Sequence, residues 1–131
     1  MILLDTHVWL WLLHNPNQLS DNANRVIEVE EAQNGLLISA ISVWEVAVKV
    51  NIGKLTLPLA IEDWYDQARQ HSGTVIEPLN PVDAIASTQL PGEFHKDPAD
   101  RIIVAIARRY GIPLVTCDEK ILSYPHVETV W

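Results

Sequence analysis

The sequence predicts an α/β fold in three layers, with a mainly parallel sheet of four or five strands between helices. Short apolar runs alternate along the chain with longer stretches whose apolar residues follow helical spacing. The stretches between successive runs are long enough for the right-handed crossovers that parallel strands require. No repeat, linker or low-complexity tract interrupts the 131 residues, so we expect a single domain over residues 1–131.

Two kinds of signal define the elements of the first half of the chain. Strands are short apolar runs, whereas helices begin at a capping residue and end at Asn, Gly or Pro. The predicted elements are, in order, a strand at Ile2–Leu4, a helix at Thr6–His14, a helix over 21–33 capped by Ser20, a strand at Leu36–Ala40, a helix that is capped by Ser42 and stops near Gly53, and a helix at Ile61–His71.

The second half continues the alternation. Its helices are marked by proline in the first turn, and its strands are rich in Val, Ile and Thr. The predicted elements are a strand at Thr74–Pro78, a weaker helix at Pro81–Leu90, a strong helix from Asp97-Pro98 to Tyr110-Gly111, a strand at Pro113–Cys117 and a short fifth strand at Val127–Val130. The order of the strands in the sheet does not follow from the sequence.

The charge balance limits how this chain can bind a partner. Nine Lys and Arg against seventeen Asp and Glu give a formal net charge of −8. Proteins that bind nucleic acid through bulk electrostatics are usually basic, so a polyanionic partner requires a local basic rim or bound cations here.

The sequence also favours a reducing, cytoplasmic setting. Cys117 is the only cysteine, which excludes an internal disulfide and a zinc finger. The longest apolar run, Val8–Leu13, is far shorter than the about 20 residues that span a bilayer. The first residues lack the basic region of a signal peptide and are interrupted by Asp5 and His7. We expect no membrane partner.

Two aspartates follow predicted strands. Asp5 closes the first strand and Asp118 closes the fourth. Ligands of open parallel sheets bind beyond the carboxyl ends of the strands, so both side chains should lie at that edge. Helix capping explains either residue, taken alone, at least as well.

Two further acids lie in the first turns of predicted helices. Glu45 comes three residues after Ser42, which is the spacing of a capping box, but its helix follows a strand directly and so also begins at the ligand edge. Asp97 is expected to cap the later helix and can support the site indirectly, by orienting the residues that hold a ligand. Asp100 precedes the apolar stripe of that helix and should point inward.

Four carboxylates at one edge of a sheet repel one another and shift each other's pKa values. A divalent cation relieves this repulsion, and all-oxygen ligands suit Mg²⁺ or Mn²⁺ rather than zinc. Such a site can activate water and orient a phosphodiester. Such a site also explains how a chain with a net negative charge can bind a polyanion, because bound cations turn an acidic pocket into a phosphate-binding one.

Five segments combine these acids with apolar neighbours: Ile2–Thr6, Ile41–Lys49, Gly53–Leu55, Asp97–Ala105 and Leu114–Asp118. In their order and spacing they resemble the PIN-domain ribonucleases, and most closely the VapC-type toxins of bacterial toxin–antitoxin pairs. The resemblance spans nearly the whole chain. It implies a metal-dependent endoribonuclease that hydrolyses RNA phosphodiester bonds and inhibits translation or growth.

The resemblance also assigns residues. The acidic quartet of the family, which holds Mg²⁺ or Mn²⁺ and is catalytic, corresponds here to Asp5, Glu45, Asp100 and Asp118. Thr6 and Thr116 match small hydroxyl residues that orient a carboxylate or a bound water. Asp97 matches an acid of the Asp-Pro-x-Asp-Arg subgroup. The implied partners are an RNA substrate, a second copy in a homodimer and a small cognate antitoxin whose basic tail crosses the acidic groove.

Basic and aromatic residues near the acids have alternative explanations. Lys49 and Arg101 are candidates for contact with RNA phosphates, although a solvated helix face explains Lys49 about as well. His7 can reach a substrate from its place beside Asp5. Four tryptophans lie on apolar helical stripes, where a core or subunit interface is a better explanation than base stacking: Trp9, Trp11, Trp44 and Trp64.

Three other functions fit parts of the pattern. A receiver-type signalling domain is also acidic and binds Mg²⁺, but it requires an acidic doublet where this chain has Asp5-Thr6. A phosphatase with an aspartyl nucleophile requires an acid at the position of His7. A non-catalytic α/β protein-binding module, whose acids are only helix caps, stays open until one acid is substituted and activity measured.

Overall fold

A parallel five-stranded sheet forms the middle layer of the structure, a computed structural model that describes residues 1–131. The strands are β1 (Ile2–Leu4), β2 (Leu36–Ser39), β3 (Thr74–Glu77), β4 (Leu114–Val115) and β5 (Thr129–Val130). Their order is β3-β2-β1-β4-β5, and all four neighbouring pairs are parallel. The predicted parallel sheet is confirmed, and β1 lies at its centre.

Seven α-helices flank this sheet. They are α1 (Thr6–His14), α2 (Asp21–Gln33), α3 (Ala40–Asn51), α4 (Ile61–Ala68), α5 (Pro81–Ala86), α6 (Pro98–Tyr110) and α7 (Glu119–Leu122). A 3₁₀ turn at Pro16–Gln18 follows α1. None of the helices has the length and apolar character that crossing a membrane requires.

Side chains of the central strands alternate between the two faces of the sheet. Leu4 and Ile38 pack with residues of α1, α2, α3 and α4. Leu3 and Leu37 face the other way and pack with residues of α6 and α7. The central strands are therefore buried on both faces, which explains their continuous apolar runs and confirms the predicted three layers.

The start of α3 differs from the prediction. Ser39, not Ser42, is the N-cap, and its side chain accepts a hydrogen bond from the Ile41 amide at 3.1 Å. The chain stays extended only to Ser39, so Ala40 is already helical. The predicted cap at Ser42 is therefore wrong, and the alternative in which Ser42 and Glu45 form a capping box is excluded. The Glu45 carboxylate instead accepts a hydrogen bond from the Thr6 hydroxyl.

Helices α4 and α5 are shorter than predicted, ending at Ala68 and Ala86 rather than at residues 71 and 90. At the end of α5, the hydroxyls of Ser87 and Thr88 donate to backbone carbonyls three residues earlier. These bonds satisfy carbonyls that a longer helix would have used. Helix α7 was not predicted, because four residues are too few to show periodicity.

Trp9 and Trp64 are buried, with their ring centroids 5.1 Å apart. Trp11 is partly buried. The Trp44 side chain of α3 is 57% exposed, so the core explanation fails for this residue.

Candidate active site

The strand order brings the acidic residues to one edge of the sheet. Because β1 lies between β2 and β4, the segments that follow these three strands are neighbours. Asp5 follows β1, Glu45 lies in the helix after β2 and Asp118 follows β4 by three residues. Helix α6, which packs against α3, adds Asp100 from its first turn.

Asp5 is the most buried of these acids, with 7% of its surface exposed. Its Oδ1 accepts a hydrogen bond from the Thr6 amide at 2.8 Å, and its Oδ2 accepts one from the Thr116 hydroxyl at 2.7 Å. Burial raises the pKa of Asp5, and these two hydrogen bonds oppose that rise. Each oxygen still has a lone pair for a further partner.

The Thr6 side chain connects α1 to α3. Its hydroxyl lies 2.6 Å from Oε1 of Glu45 and 2.8 Å from the Ser42 hydroxyl. Thr6 has one hydroxyl proton, which goes to the carboxylate as the stronger acceptor, so Ser42 donates to Thr6. Burial raises the pKa of Glu45, while the Thr6 bond lowers it and nearby Asp5 raises it further.

The Thr116 side chain likewise connects Asp5 to Asp118 by hydrogen bonds. It is fully buried, donates to Asp5 and accepts a hydrogen bond from the Asp118 amide at 3.0 Å. Asp118 in turn caps α7, accepting from the Lys120 amide at 2.8 Å. Both predicted supporting threonines thus touch predicted acids.

Asp100 is the residue on which the other charges converge. Its pKa is raised to about 7, first by burial and then by the four neighbouring carboxylates of Asp5, Asp97, Asp118 and Glu45. Asp97 is the N-cap of α6, as predicted, and accepts from the Asp100 amide at 3.0 Å. The cluster therefore holds five interacting acids.

His95 is a neighbour of the cluster that sequence reasoning missed. Its Nε2 lies 3.0 Å from Oδ2 of Asp100, although the two groups are not aligned for a good hydrogen bond. The residue lies in the loop before α6, five positions from Asp100, and no periodic pattern marks it. Only its proximity in sequence to Asp97 could have drawn attention to it.

The two basic residues predicted to contact substrate differ in their surroundings. Arg101 donates to the backbone carbonyls of Ser87, Phe94 and His95 at 2.8, 3.0 and 3.2 Å. It thereby fixes the loop that carries His95. Lys49 lies one turn after Glu45 on α3 and forms no ion pair.

The donor set of the site suits a hard divalent cation, because it consists of carboxylate and hydroxyl oxygens. No three Asp, Glu, His or Cys side chains converge closely enough to hold one ion by themselves. Mg²⁺ does not require such a cage, since it keeps several waters and usually binds one or two carboxylates together with substrate phosphate. The residues present therefore fit an ion held partly through water and phosphate.

Comparisons with known proteins identify the family of this chain. The PIN domain family matches residues 2–127. The chain is 36% identical over 132 residues to Ribonuclease VapC22 of Mycobacterium tuberculosis, and the match covers 99% of this chain and 98% of that protein.

Two solved structures share the fold. VapBC2 from Rickettsia felis, bound to a DNA fragment from its promoter, superposes with a TM-score of 0.72 at 18% identity, covering 99% of this chain and 98% of that chain. A toxin–antitoxin complex from Klebsiella pneumoniae superposes with a TM-score of 0.66 at 20% identity, covering 100% and 97%. The resemblance drawn from the sequence is confirmed: the chain belongs to the PIN-domain family, among the VapC-type ribonucleases.

Proposed function

We propose that this chain is a Mg²⁺-dependent endoribonuclease, the toxin of a toxin–antitoxin pair, which hydrolyses RNA phosphodiester bonds and so inhibits translation or growth. The observation that carries the proposal is the convergence of five carboxylates at one edge of the sheet, where burial and the other four carboxylates raise the pKa of Asp100 to about 7. Repulsion among these carboxylates destabilises the folded chain unless a bound cation offsets it. The 36% identity to a protein named a ribonuclease supports the reaction.

In this proposal the catalytic and metal-holding residues are Asp5, Glu45, Asp100 and Asp118, with Mn²⁺ as a possible substitute for Mg²⁺. When bound, the cation supplies positive charge that orients the scissile phosphate and stabilises negative charge on its oxygens. Thr6 and Thr116 hold two of the carboxylates in fixed orientations before substrate arrives, which lowers the cost of reorganisation. Asp97 supports the site indirectly, as the N-cap of α6 that accepts a hydrogen bond from the Asp100 amide.

The proposed partners are an RNA substrate, a second copy of the chain and a small cognate antitoxin. The Klebsiella neighbour is itself a toxin–antitoxin complex, which supports the last of these. The net charge of −8 suits an antitoxin whose basic tail crosses the acidic edge. We propose that residues 1–131 form one PIN-like domain and that it acts in the cytoplasm.

Cleavage of a mixed pool of structured RNA tests the proposed reaction. The chain is purified free of any co-expressed small protein, which would mask activity, and assayed with Mg²⁺ and with EDTA. Asp5→Asn keeps a side chain that can cap α1 but loses the negative charge. We expect EDTA and Asp5→Asn each to reduce cleavage at least 100-fold. Asp66→Asn, an exposed carboxylate of α4, is the matched control and should cleave normally.

The product ends separate this reaction from contamination. Hydrolysis at the proposed site leaves 5′-phosphate and 3′-hydroxyl ends. Cyclic 2′,3′-phosphate ends, or cleavage that survives both EDTA and Asp5→Asn, would come from a contaminating ribonuclease. Complete lack of cleavage by the folded chain would favour the non-catalytic binding module.

A further inference from the structure

A large cavity lies beside the acidic edge, between α1 and the segment that follows α3. Its volume is about 560 Å³, within the range of about 300–1,000 Å³ that is typical of small-ligand sites. Helix α1 contributes His7, Trp11 and His14 to one wall, while Lys49 and residues 54–58 form the other. We call this cavity the α1 groove.

The charge of the α1 groove is opposite to that of the whole chain. None of its lining residues is Asp or Glu, although the chain has seventeen. Lys49 and Lys54 both line it, and neither forms an ion pair. Four of the other basic residues are instead engaged within the chain by carboxylates or backbone carbonyls: Arg69, Arg101, Arg108 and Arg109. The groove therefore attracts anions.

The α1 groove also contains aromatic rings. Trp11 is partly buried, and its ring centroid lies 6.0 Å from that of His7 and 5.9 Å from that of Trp131. Trp64 donates from its indole nitrogen to Nε2 of His14 at 2.8 Å, so the proton of a neutral His14 ring is on Nδ1 and can be donated. An aromatic face together with a fixed donor suits an unpaired nucleobase.

The α1 groove is continuous with the acidic edge. His7 comes two residues after Asp5, and Lys49 comes one turn after Glu45 on the same face of α3. Lys49 and Lys54 also line a second, smaller pocket together with Glu45 and Asp97. The two lysines thus border both the α1 groove and the acids.

We propose that the α1 groove binds the nucleotide next to the scissile phosphate of a single-stranded RNA segment, with its base on Trp11 and its phosphates at Lys49 and Lys54. This inference rests on the proposed ribonuclease function and names the part of the surface that holds the substrate. A peptide is the other occupant to consider. Two free lysines and no carboxylate disfavour a basic antitoxin tail and favour a polyanion.

Binding of a fluorescein-labelled oligouridylate of about 12 nucleotides tests the inference, measured by anisotropy over a range of KCl concentrations. The wild-type chain is compared with Asp5→Asn, which keeps the RNA intact, and the groove substitutions are made in the Asp5→Asn background. Lys49→Gln with Lys54→Gln should raise Kd at least fivefold. It should also reduce the slope of log Kd against log[KCl] by about 1.4, because each contact with a single-strand phosphate contributes about 0.7 to that slope.

The matched control is Arg25→Gln with Arg69→Gln, which removes two positive charges from exposed positions outside the groove. We expect its Kd to change less than twofold. Trp11→Leu should raise Kd several-fold without changing the salt dependence, because it removes stacking and no charge. Thermal melts of all variants establish that they are folded.

The same variants with Asp5 intact separate the inference from the function. Cleavage with raised KM and unchanged kcat in the lysine double variant supports both. Normal cleavage and normal RNA binding by that variant overturn the inference but not the proposed function. The same conclusion follows if the Arg25 and Arg69 control loses as much RNA affinity as the lysine double variant. Loss of antitoxin binding with normal RNA binding shows a protein-docking groove and overturns the inference. A wild-type chain that neither binds nor cleaves RNA overturns both.

Discussion

Two threonine hydroxyls hold the acidic edge together. Thr6 joins Glu45 to Ser42, and Thr116 joins Asp5 to the amide of Asp118. Hydrogen bonds to a charged acceptor are roughly twice as strong as neutral ones. In a buried place they also keep a carboxylate ionised that burial would otherwise protonate.

Thr116→Val removes one of these bonds while keeping the shape of the side chain. Because the Thr116 hydroxyl lowers the pKa of Asp5, its loss raises that pKa. We expect cleavage to fall at least tenfold at pH 7 and to recover partly as the pH rises. A profile of kcat/KM against pH checks this, with Thr88→Val as the control for an exposed hydroxyl. An unchanged profile would contradict the role given to Thr116.

Asp100 makes the stability of the chain depend on pH. Its folded pKa of about 7 lies above the ordinary value of 3.8, so folding favours the protonated form. Its contribution is therefore most favourable below pH 3.8 and is lost as the pH rises toward and through 7.

Asp100→Asn removes this unfavourable charge. In EDTA at pH 8 we expect the variant to be more stable than the wild type by about 1 kcal/mol, a value reduced for the partial solvent access of the side chain. At pH 4 the difference should be much smaller. Urea unfolding at the two pH values measures it, and equal stabilities at pH 8 would show that Asp100 is not under repulsion.

At the scale of elements, the N-terminal ends of α1, α3, α6 and α7 place every acid of the site. Asp5, Asp97 and Asp118 are N-caps, Asp100 lies in the first turn of α6, and Glu45 lies in the second turn of α3. Helix caps were predictable where the sequence offers one clear capping residue, as at Ser20 of α2 and Asp97 of α6. The start of α3 was not, because Ser39 and Ser42 are both good caps and the choice depends on where β2 stops pairing. His95 was missed because its loop has no periodic pattern; hydrogen bonds from Arg101 to the carbonyls of Phe94 and His95 position it, and side-chain bonds to the backbone leave no mark in the sequence.

Substitution of Asp97 separates capping from chemistry. Asn caps a helix about as well as Asp, whereas Ala does not. We expect Asp97→Ala to lower the free energy of unfolding by about 1 kcal/mol, and Asp97→Asn to leave it nearly unchanged. Cleavage by Asp97→Asn should stay within about threefold of the wild type. A loss as large as that of Asp5→Asn would make Asp97 a metal-holding residue instead.

At the scale of the molecule, the alternation of strands and helices was enough to predict a parallel sheet in three layers. The strand order was not predictable, because pairing of β1 with β4 joins residues more than a hundred positions apart. That pairing is what brings Thr116 and Asp118 to Asp5. The acids were therefore predictable as a set, whereas their contacts depend on the whole fold.

Binding of Mg²⁺ only to the folded chain should stabilise it. At ten times its Kd, the ion adds about 1.4 kcal/mol, which raises Tm by a few degrees for a chain of this length. We expect this shift in the wild type and its loss in Asp5→Asn. Differential scanning fluorimetry measures both, with NaCl of equal ionic strength as the reference. A shift that survives Asp5→Asn would place the ion elsewhere.

The central position of β1 has a consequence for the timing of synthesis. Asp5 and Glu45 emerge from the ribosome before Thr116 and Asp118, which lie much later in the chain. The sheet cannot add β4 beside β1 until those later residues have emerged, so a shorter nascent chain lacks a complete acidic edge. The proposed nuclease therefore stays inactive during the synthesis of everything that precedes β4.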